Sequence, residues 1–294
     1  MAKPIKPKTC PVVAVLNMKG GVGKTTISGN VFREIFRRKL KRILLIDFDP
    51  QFNLTQLLLS RATYESLKSK KKTPWHVMEP SYSPNVFRVS EKDTLNVSDV
   101  STFVTKLRHI TGRPEIVLDL LPGDFELAML NLRENTASLA AARTRFSSCV
   151  SNARTSYDLI VLDCNPSSSF LTRTAIELAS HILIPVRPDK YSLLGVEMIF
   201  DYIKQLPTVS DMPELLVLLN DIAREDLNNE VVSTLRASSD FGPITLVKHI
   251  RRSKVLIARS DHTGFAVDRR APHTSKVSLN LGEVADELAG KLGL

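Results

Sequence analysis

Eight residues near the start of the chain, Lys19-Gly20-Gly21-Val22-Gly23-Lys24-Thr25-Thr26, constrain the fold more than any other stretch. They stand between a short apolar run, Val12 to Leu16, and a segment with apolar residues at helical spacing, Ile27, Val31, Ile35 and Phe36. A strand that turns through glycines into a helix makes a phosphate cradle, because backbone N–H groups and the positive helix end face the same point. The glycines Gly20, Gly21 and Gly23 let the main chain approach an anion where a Cβ would intrude. Lys24 is expected to reach the β- and γ-phosphates of ATP, the Thr25 hydroxyl to take a Mg2+ position, and Thr26 to meet the α-phosphate. The general pattern asks for Gly five residues before the Gly-Lys pair, and Met18 stands there, so the match is to a variant.

A second apolar run, Ile43 to Ile46, completes strand, turn, helix, strand, which is a βαβ unit and predicts a parallel sheet covered on both faces. Further runs at 116–121, 159–162, 182–186, 215–219 and 245–247 alternate with helix-length segments at 126–153, 172–179, 193–205 and 227–238. That alternation predicts an α/β fold with a doubly wound, mostly parallel sheet flanked by helices. Residues 60–113 break the rhythm with Lys68, Lys70, Lys71 and Lys72, then Pro74, Pro80 and Pro84. They read as a partly irregular insertion with a helix near Val100 to Ile110. With no internal repeat and no long linker, one domain over 1–294 is expected, preceded by a Lys/Pro-rich tail at 1–11.

Three widely spaced cysteines, Cys10, Cys149 and Cys164, suggest neither a disulfide framework nor a paired-Cys zinc site. The N-terminal stretch lacks a signal-like apolar segment, and no apolar run approaches the roughly 18 residues of a membrane span. A cytoplasmic setting is expected. The chain has 40 basic and 31 acidic side chains, a net of +9, which favours a polyanionic partner.

Two acidic segments complete the chemistry. The run Ile43 to Ile46 delivers Asp47 and Asp49 to the C-terminal end of a strand, where they are placed to hold Mg2+ waters or orient an attacking water. Tyr157 to Asp163 is an apolar strand ending in an acid, and Asp163 is expected to contact Mg2+ through water.

The glycine loop resembles the deviant Walker A motif of the ParA/MinD ATPases, whose mark is an extra lysine, here Lys19. Asp47-Phe48-Asp49-Pro50-Gln51, with Asn53 and Thr55, resembles that family's switch I, and the resemblance implies that Asp49 is needed for hydrolysis. Phe52 stands where the family usually has a small residue. Asp163-Cys164-Asn165-Pro166-Ser167 resembles its Asp-x-Pro-Pro segment, with Asn165 in place of one proline. Leu218-Leu219-Asn220 resembles the strand whose asparagine reads adenine, although Asn220 fits an ordinary strand-end turn equally well. The resemblance covers roughly three quarters of the chain. It implies a homodimer with ATP sandwiched between subunits, in which Lys19 crosses to the partner's nucleotide and hydrolysis reverses the pairing.

Between Lys248 and Lys276 stand eight basic residues, among them Arg251, Arg252, Lys254 and Arg259, against Asp261 and Asp268. Such a concentration suits non-specific DNA binding through phosphates, with Arg251, Arg252, Lys254 and Arg259 as contacts. Ile250-Arg251-Arg252-Ser253 resembles the family's Ile-Pro-Arg-Asn segment near its DNA-binding face. A second basic cluster, Arg33 to Arg42, complements the dipole at the end of the first helix.

The function expected from these features is a ParA-like partition ATPase. It would position a plasmid, a chromosome or another cargo, with a ParB-like adaptor stimulating hydrolysis. The alternative, a MinD-like membrane-associated regulator, calls for a basic amphipathic C-terminal helix with bulky apolar residues. Residues 283–294 are acidic and lack aromatics, so no stable membrane anchor is expected. Cluster cysteines for an iron–sulfur reductase are absent, as is the C-terminal tyrosine cluster of related kinases, and no helix-turn-helix segment precedes the loop.

Overall fold

The computed structural model describes residues 10–79, 99–167, 169–189, 191–206, 212–228, 230–258 and 262–294. The Lys/Pro tail up to residue 9, residues 80–98 of the expected insertion, and Arg259 lie outside the described residues.

The chain begins with β1 (Val12–Val15), α1 (Lys24–Lys39), β2 (Ile43–Phe48), α2 (Asn53–Leu58), α3 (Arg61–Ser69) and α4 (Pro74–Met78). It continues through the pair β3 (Thr105–Ile110) and β4 (Arg113–Leu121) to α5 (Ala128–Asn131), α6 (Thr136–Ser156), β5 (Leu159–Cys164) and α7 (Phe170–Leu178). The remainder is β6 (His181–Val186), α8 (Ser192–Lys204), β7 (Glu214–Leu219), α9 (Glu230–Ala237) and α10 (Thr274–Lys291). Among the described residues the strands form one sheet in the order β3-β4-β2-β5-β1-β6-β7. Every neighbouring pair is parallel except β3 with β4.

The apolar runs read as uninterrupted because both faces of the sheet are covered. Val13, Val15, Leu45 and Val161 point to the layer built by α1, α2 and α10, whereas Val12, Ala14, Leu44 and Ile160 point to the layer built by α4, α6, α7 and α8. On that second side Phe48 of β2 stacks on Phe146 of α6 with centroids 4.5 Å apart. On the first side α10 buries Val284, Ala285 and Leu288, so its apolar face is spent on the core. The basic end of α1 is matched by acids: Arg38 and Lys39 pair with Asp286, Arg37 with the buried Glu34, and Arg42 with Asp158. Gly282 makes room for this, since a Cβ there would stand 3.0 Å from Arg38 Nη1.

Three expectations are corrected. The helix near Val100 to Ile110 is a single 3-10 turn, Val100–Thr102, followed by β3. Val100, Val104, Leu107 and Ile110 do have helical spacing, but pairing with β4 across a turn at Gly112, φ 78°, prevails. The described part of the insertion holds α3, α4 and β3. Residues 126–153 are not one helix: a 3-10 turn and α5 precede α6, whose start is fixed by the Asn135 side chain accepting from Ser138 N–H. The run at 245–247 makes only an isolated bridge, Val217 with Thr245. Glu287 of α10 explains this, because its carboxylate accepts the N–H groups of Val247 and Lys248 at 2.7 Å each and diverts them from any ladder.

The Phe48–Phe146 stack generates a stability prediction. Phe146→Ala is expected to cost about 3–5 kcal/mol, read as a lowered urea midpoint. A midpoint within error of the wild type would show that α6 is not anchored there.

Candidate functional site

The ends of β1, β2, β5, β6 and β7 open on one edge of the sheet, where a doubly wound fold places its ligand crevice. The glycine loop leaves β1 and enters α1 there. Gly23, the residue before α1, has φ 95°, and a Cβ on it would stand 2.2 Å from Asn220 Nδ2. Both the backbone angle and the close approach therefore require glycine. Asn220, at the end of β7, donates Nδ2–H to the Val22 carbonyl at 2.7 Å and so ties the loop to the far strand. No side chain caps the start of α1, which leaves its first N–H groups facing the crevice.

Lys24 is 8% exposed, and its Nζ donates to the carbonyls of Asn17 and Lys19 at 3.1 and 3.2 Å. Burial lowers its pKa, against the opposing pull of Asp163 and Asp49. Asp163, at the end of β5, accepts from Thr25 Oγ1 at 2.9 Å and Ser28 Oγ at 2.7 Å. Burial raises its pKa to about 6 in spite of those two hydrogen bonds. Asp49 is also raised by burial, opposed by the Gln51 N–H and by Lys24. Cys164 beside them is buried, and burial pushes its thiol far up, which makes it inert filler.

Asp47 pairs in register with Asp163 across β2 and β5. Its Oδ2 accepts from both N–H and Oγ1 of Thr55, each at 2.7 Å. Burial, then the charge of Asp163, hold the Asp47 carboxyl well above the usual range. The fold thus fastens Asp47 to α2 through Thr55, beside Asp163 on the neighbouring strand.

Mg2+ fits this set. Among the described residues no group of three or more His, Cys, Asp or Glu is arranged to hold a metal alone. Mg2+ does not ask for one, since it keeps waters and takes phosphate oxygens beside one carboxylate and a hydroxyl. The excess of buried carboxylate over ammonium also favours a cation there.

The crevice continues into a cavity of about 560 Å3 lined by Gly21, Gly23, Thr26 and Asn220 on one wall and by Arg251, Arg252, Ser253 and Lys254 on the other. Behind that second wall lies a cavity of about 930 Å3 that gathers Arg251, Arg252 and Lys254 with Arg269, Arg270 and Lys276. Acids and carbonyls engage part of this charge: Arg252 contacts Asp221 and Asp226, and Arg269 contacts the Ile257 carbonyl. Among the described residues no ion pair engages Arg251, Lys254, Arg270 or Lys276. Lys19 stands exposed on the loop, and its Nζ lies 2.6 Å from Asp189 Oδ2. Burial works against the Asp189 charge, but Lys19 and the Tyr191 N–H outweigh it, and Asp189 titrates below the usual range.

Two participants escape sequence reading. Ser28 carries a weak signal, four residues after Lys24 on the inner face of α1. The Arg187–Asp221 pair carries no local signal, because its partners are distant in sequence.

A glycine loop between strand and helix, a hydroxyl beside a strand-end aspartate, and a doubly wound sheet define a P-loop nucleotide-binding protein. The chain belongs to the AAA domain family, whose model matches residues 10–213, and within it is a ParA-like P-loop ATPase. It is 27% identical over 277 residues to a ParA family protein of Chlamydia muridarum, covering 94% of this chain and 96% of that one. The sporulation initiation inhibitor protein Soj of Bacillus subtilis is 26% identical over 230 residues, covering 76% of this chain and 78% of Soj. The fold is similar to that of a plasmid partition protein from Borrelia burgdorferi bound to AMPPNP, with a TM-score of 0.66 at 15% identity, covering 94% and 98% of the two chains.

The raised Asp163 pKa predicts a pH dependence. The folded chain holds a proton on Asp163 up to about pH 6, whereas an unfolded Asp releases it near 3.8. Stability of the nucleotide-free chain therefore falls as pH rises through that window. Asp163→Asn is expected to remove about 2 to 3 kcal/mol of this fall between pH 4 and pH 7. Parallel urea-unfolding profiles for the two proteins would sink the assignment.

Proposed function

We propose that this chain binds ATP with Mg2+ in the crevice, pairs with a second copy while ATP is present, and in that state holds duplex DNA without sequence preference. The observation that carries the reading is the shared wall: the phosphate loop and Asn220 face Arg251, Arg252 and Lys254 across one cavity. A change in the nucleotide is thereby next to a change in the basic surface.

In this reading the N–H groups of Gly20 to Thr26 and the Lys24 ammonium hold the phosphates, and Thr25 and Asp163 would hold Mg2+. There the ion would supply neutralising charge for the transferred phosphoryl group. Asp49 orients the attacking water, and Asp47 fixes the β2 end through Thr55. Asn220 keeps its carbonyl oxygen as an acceptor for the adenine amine, its nitrogen being committed to Val22. Lys19 leaves Asp189 to reach the nucleotide of the second copy, where an ammonium is worth most while the γ-phosphate is present.

Hydrolysis removes that charge, the pair separates, and DNA is released. Arg251, Lys254 and, by its place in the sequence, Arg259 supply phosphate contacts. Arg252 is partly neutralised by Asp221 and Asp226 and contributes less. A ParB-like adaptor stimulating hydrolysis would then move a plasmid, chromosome or other cargo, in a cytoplasmic, nucleoid-associated setting. Support for this over a membrane partner comes from α10, whose apolar face is buried, and among the described residues no helix is long and apolar enough to cross a membrane.

Binding to random-sequence duplex DNA, measured with ATP, ADP or no nucleotide across a salt series, is expected to be tight and salt-sensitive only with ATP. Equal binding in all three states would overturn the switch. Asp49→Ala is expected to bind ATP normally and hydrolyse it at least about a hundredfold more slowly. Lys19→Ala is expected to bind ATP and remain monomeric by light scattering, and ATP-dependent dimers of that variant would remove Lys19 from the interface.

A further inference from the structure

Asp49 sits on a short loop between β2 and α2, and the last residue of that loop is Phe52, at φ 42° and ψ 42°. Glycine or asparagine is at home in that left-handed region, whereas a bulky aromatic residue there is strained. A bulky side chain held in an unfavourable backbone state is one whose contacts outweigh the strain. The contact here is specific: the Phe52 ring stacks on Tyr64 of α3, with centroids 5.1 Å apart and planes 16° from parallel.

The same loop is closed on itself around Asp49. Gln51 N–H donates to Asp49 Oδ1 at 2.9 Å, and Phe52 N–H donates to the Asp49 carbonyl at 2.8 Å. A movement of Phe52 therefore reaches the Asp49 carboxylate through two covalently adjacent hydrogen bonds. Beneath the loop runs Gly123, where a Cβ would stand 2.8 Å from both Asp47 Cγ and Phe52 Cβ. Gly123 N–H donates to Thr55 Oγ1 at 2.7 Å, and the next residue, the fully buried Asp124, accepts from Lys68 of α3 at 2.9 Å. Two ties thus join the β2–α2 region to α3: the stack of Phe52 on Tyr64, and the path from Thr55 through Gly123 and Asp124 to Lys68.

We propose that Phe52 is a positioning residue for hydrolysis, its ring latched on Tyr64 so that α3 sets the orientation of Asp49. The ring acts through the backbone turn that carries Asp49, so its loss disorders water orientation and leaves ATP binding by the glycine loop intact. The inference rests on the reading of Asp49 as the residue that orients the attacking water.

The test uses the full chain and steady-state hydrolysis, with ATP binding and thermal midpoint followed in parallel. Tyr64→Ala and Phe52→Gly are each expected to lower kcat about tenfold while KM for ATP stays within about twofold. Tyr64→Phe keeps the stack and is expected to retain wild-type kcat. Phe52→Gly is the variant that separates positioning from structure, since relief of backbone strain offsets the lost ring and the midpoint is expected to hold. Wild-type kcat in Tyr64→Ala and Phe52→Gly, with Asp49→Ala inactive, overturns the latch alone. Absence of hydrolysis by the wild type, or an active Asp49→Ala, overturns the latch together with the reading of Asp49.

Discussion

Three carboxylates and one ammonium group share a space that water hardly enters. Asp47, Asp49 and Asp163 are each 5% exposed or less, and Lys24 is their buried cation. Burial disfavours every charge in the set, raising the acids and lowering the lysine, and the neighbours only partly compensate. The hydrogen bonds from Thr25, Ser28 and Thr55 are what allow the acids to be there at all. Those donors come from α1 and α2, so the placement of both helices on the sheet is tied to the chemistry of the crevice.

Such a cluster carries more carboxylate than ammonium, and in the proposed reading a divalent cation arriving with the phosphates supplies the missing positive charge. Stability and ligand binding are then linked, because a ligand that binds only the folded state stabilises it. The same crevice is closed on its far side by the segment from Arg251 to Lys254, which also borders the larger basic cavity. Acids sort the cations of this region. Asp221 and Asp226 hold Arg252, Asp221 also holds Arg187, and Arg251 and Lys254 are left outside these pairs. A basic count read along the chain therefore overstates the charge that faces outward.

Much of the fold was legible because its signals are local. The apolar runs of β1, β2, β5, β6 and β7 are continuous since both faces of a parallel sheet are covered, and the phosphate loop lies between β1 and α1 as its glycines imply. Legibility failed where a distant residue decided the outcome. Val100 to Ile110 has helical spacing, yet Thr105–Ile110 became an edge strand because β4 was available to pair with it. Residues 245–247 are apolar enough for a strand, and Glu287, forty residues away from Val247, took the N–H groups of Val247 and Lys248.

The amino-acid sequence by itself determined the class of fold, the phosphate loop and the strand-end aspartates, since each depends on residue type at short spacing. Only the tertiary structure decided what those groups touch: that Asn220 braces Gly23, that Asp47 accepts from Thr55, that Lys19 rests on Asp189, and that Phe52 meets Tyr64. Spacing along a chain sets which elements form, but contacts between elements arise from packing two helical layers on one sheet, and no local pattern encodes them.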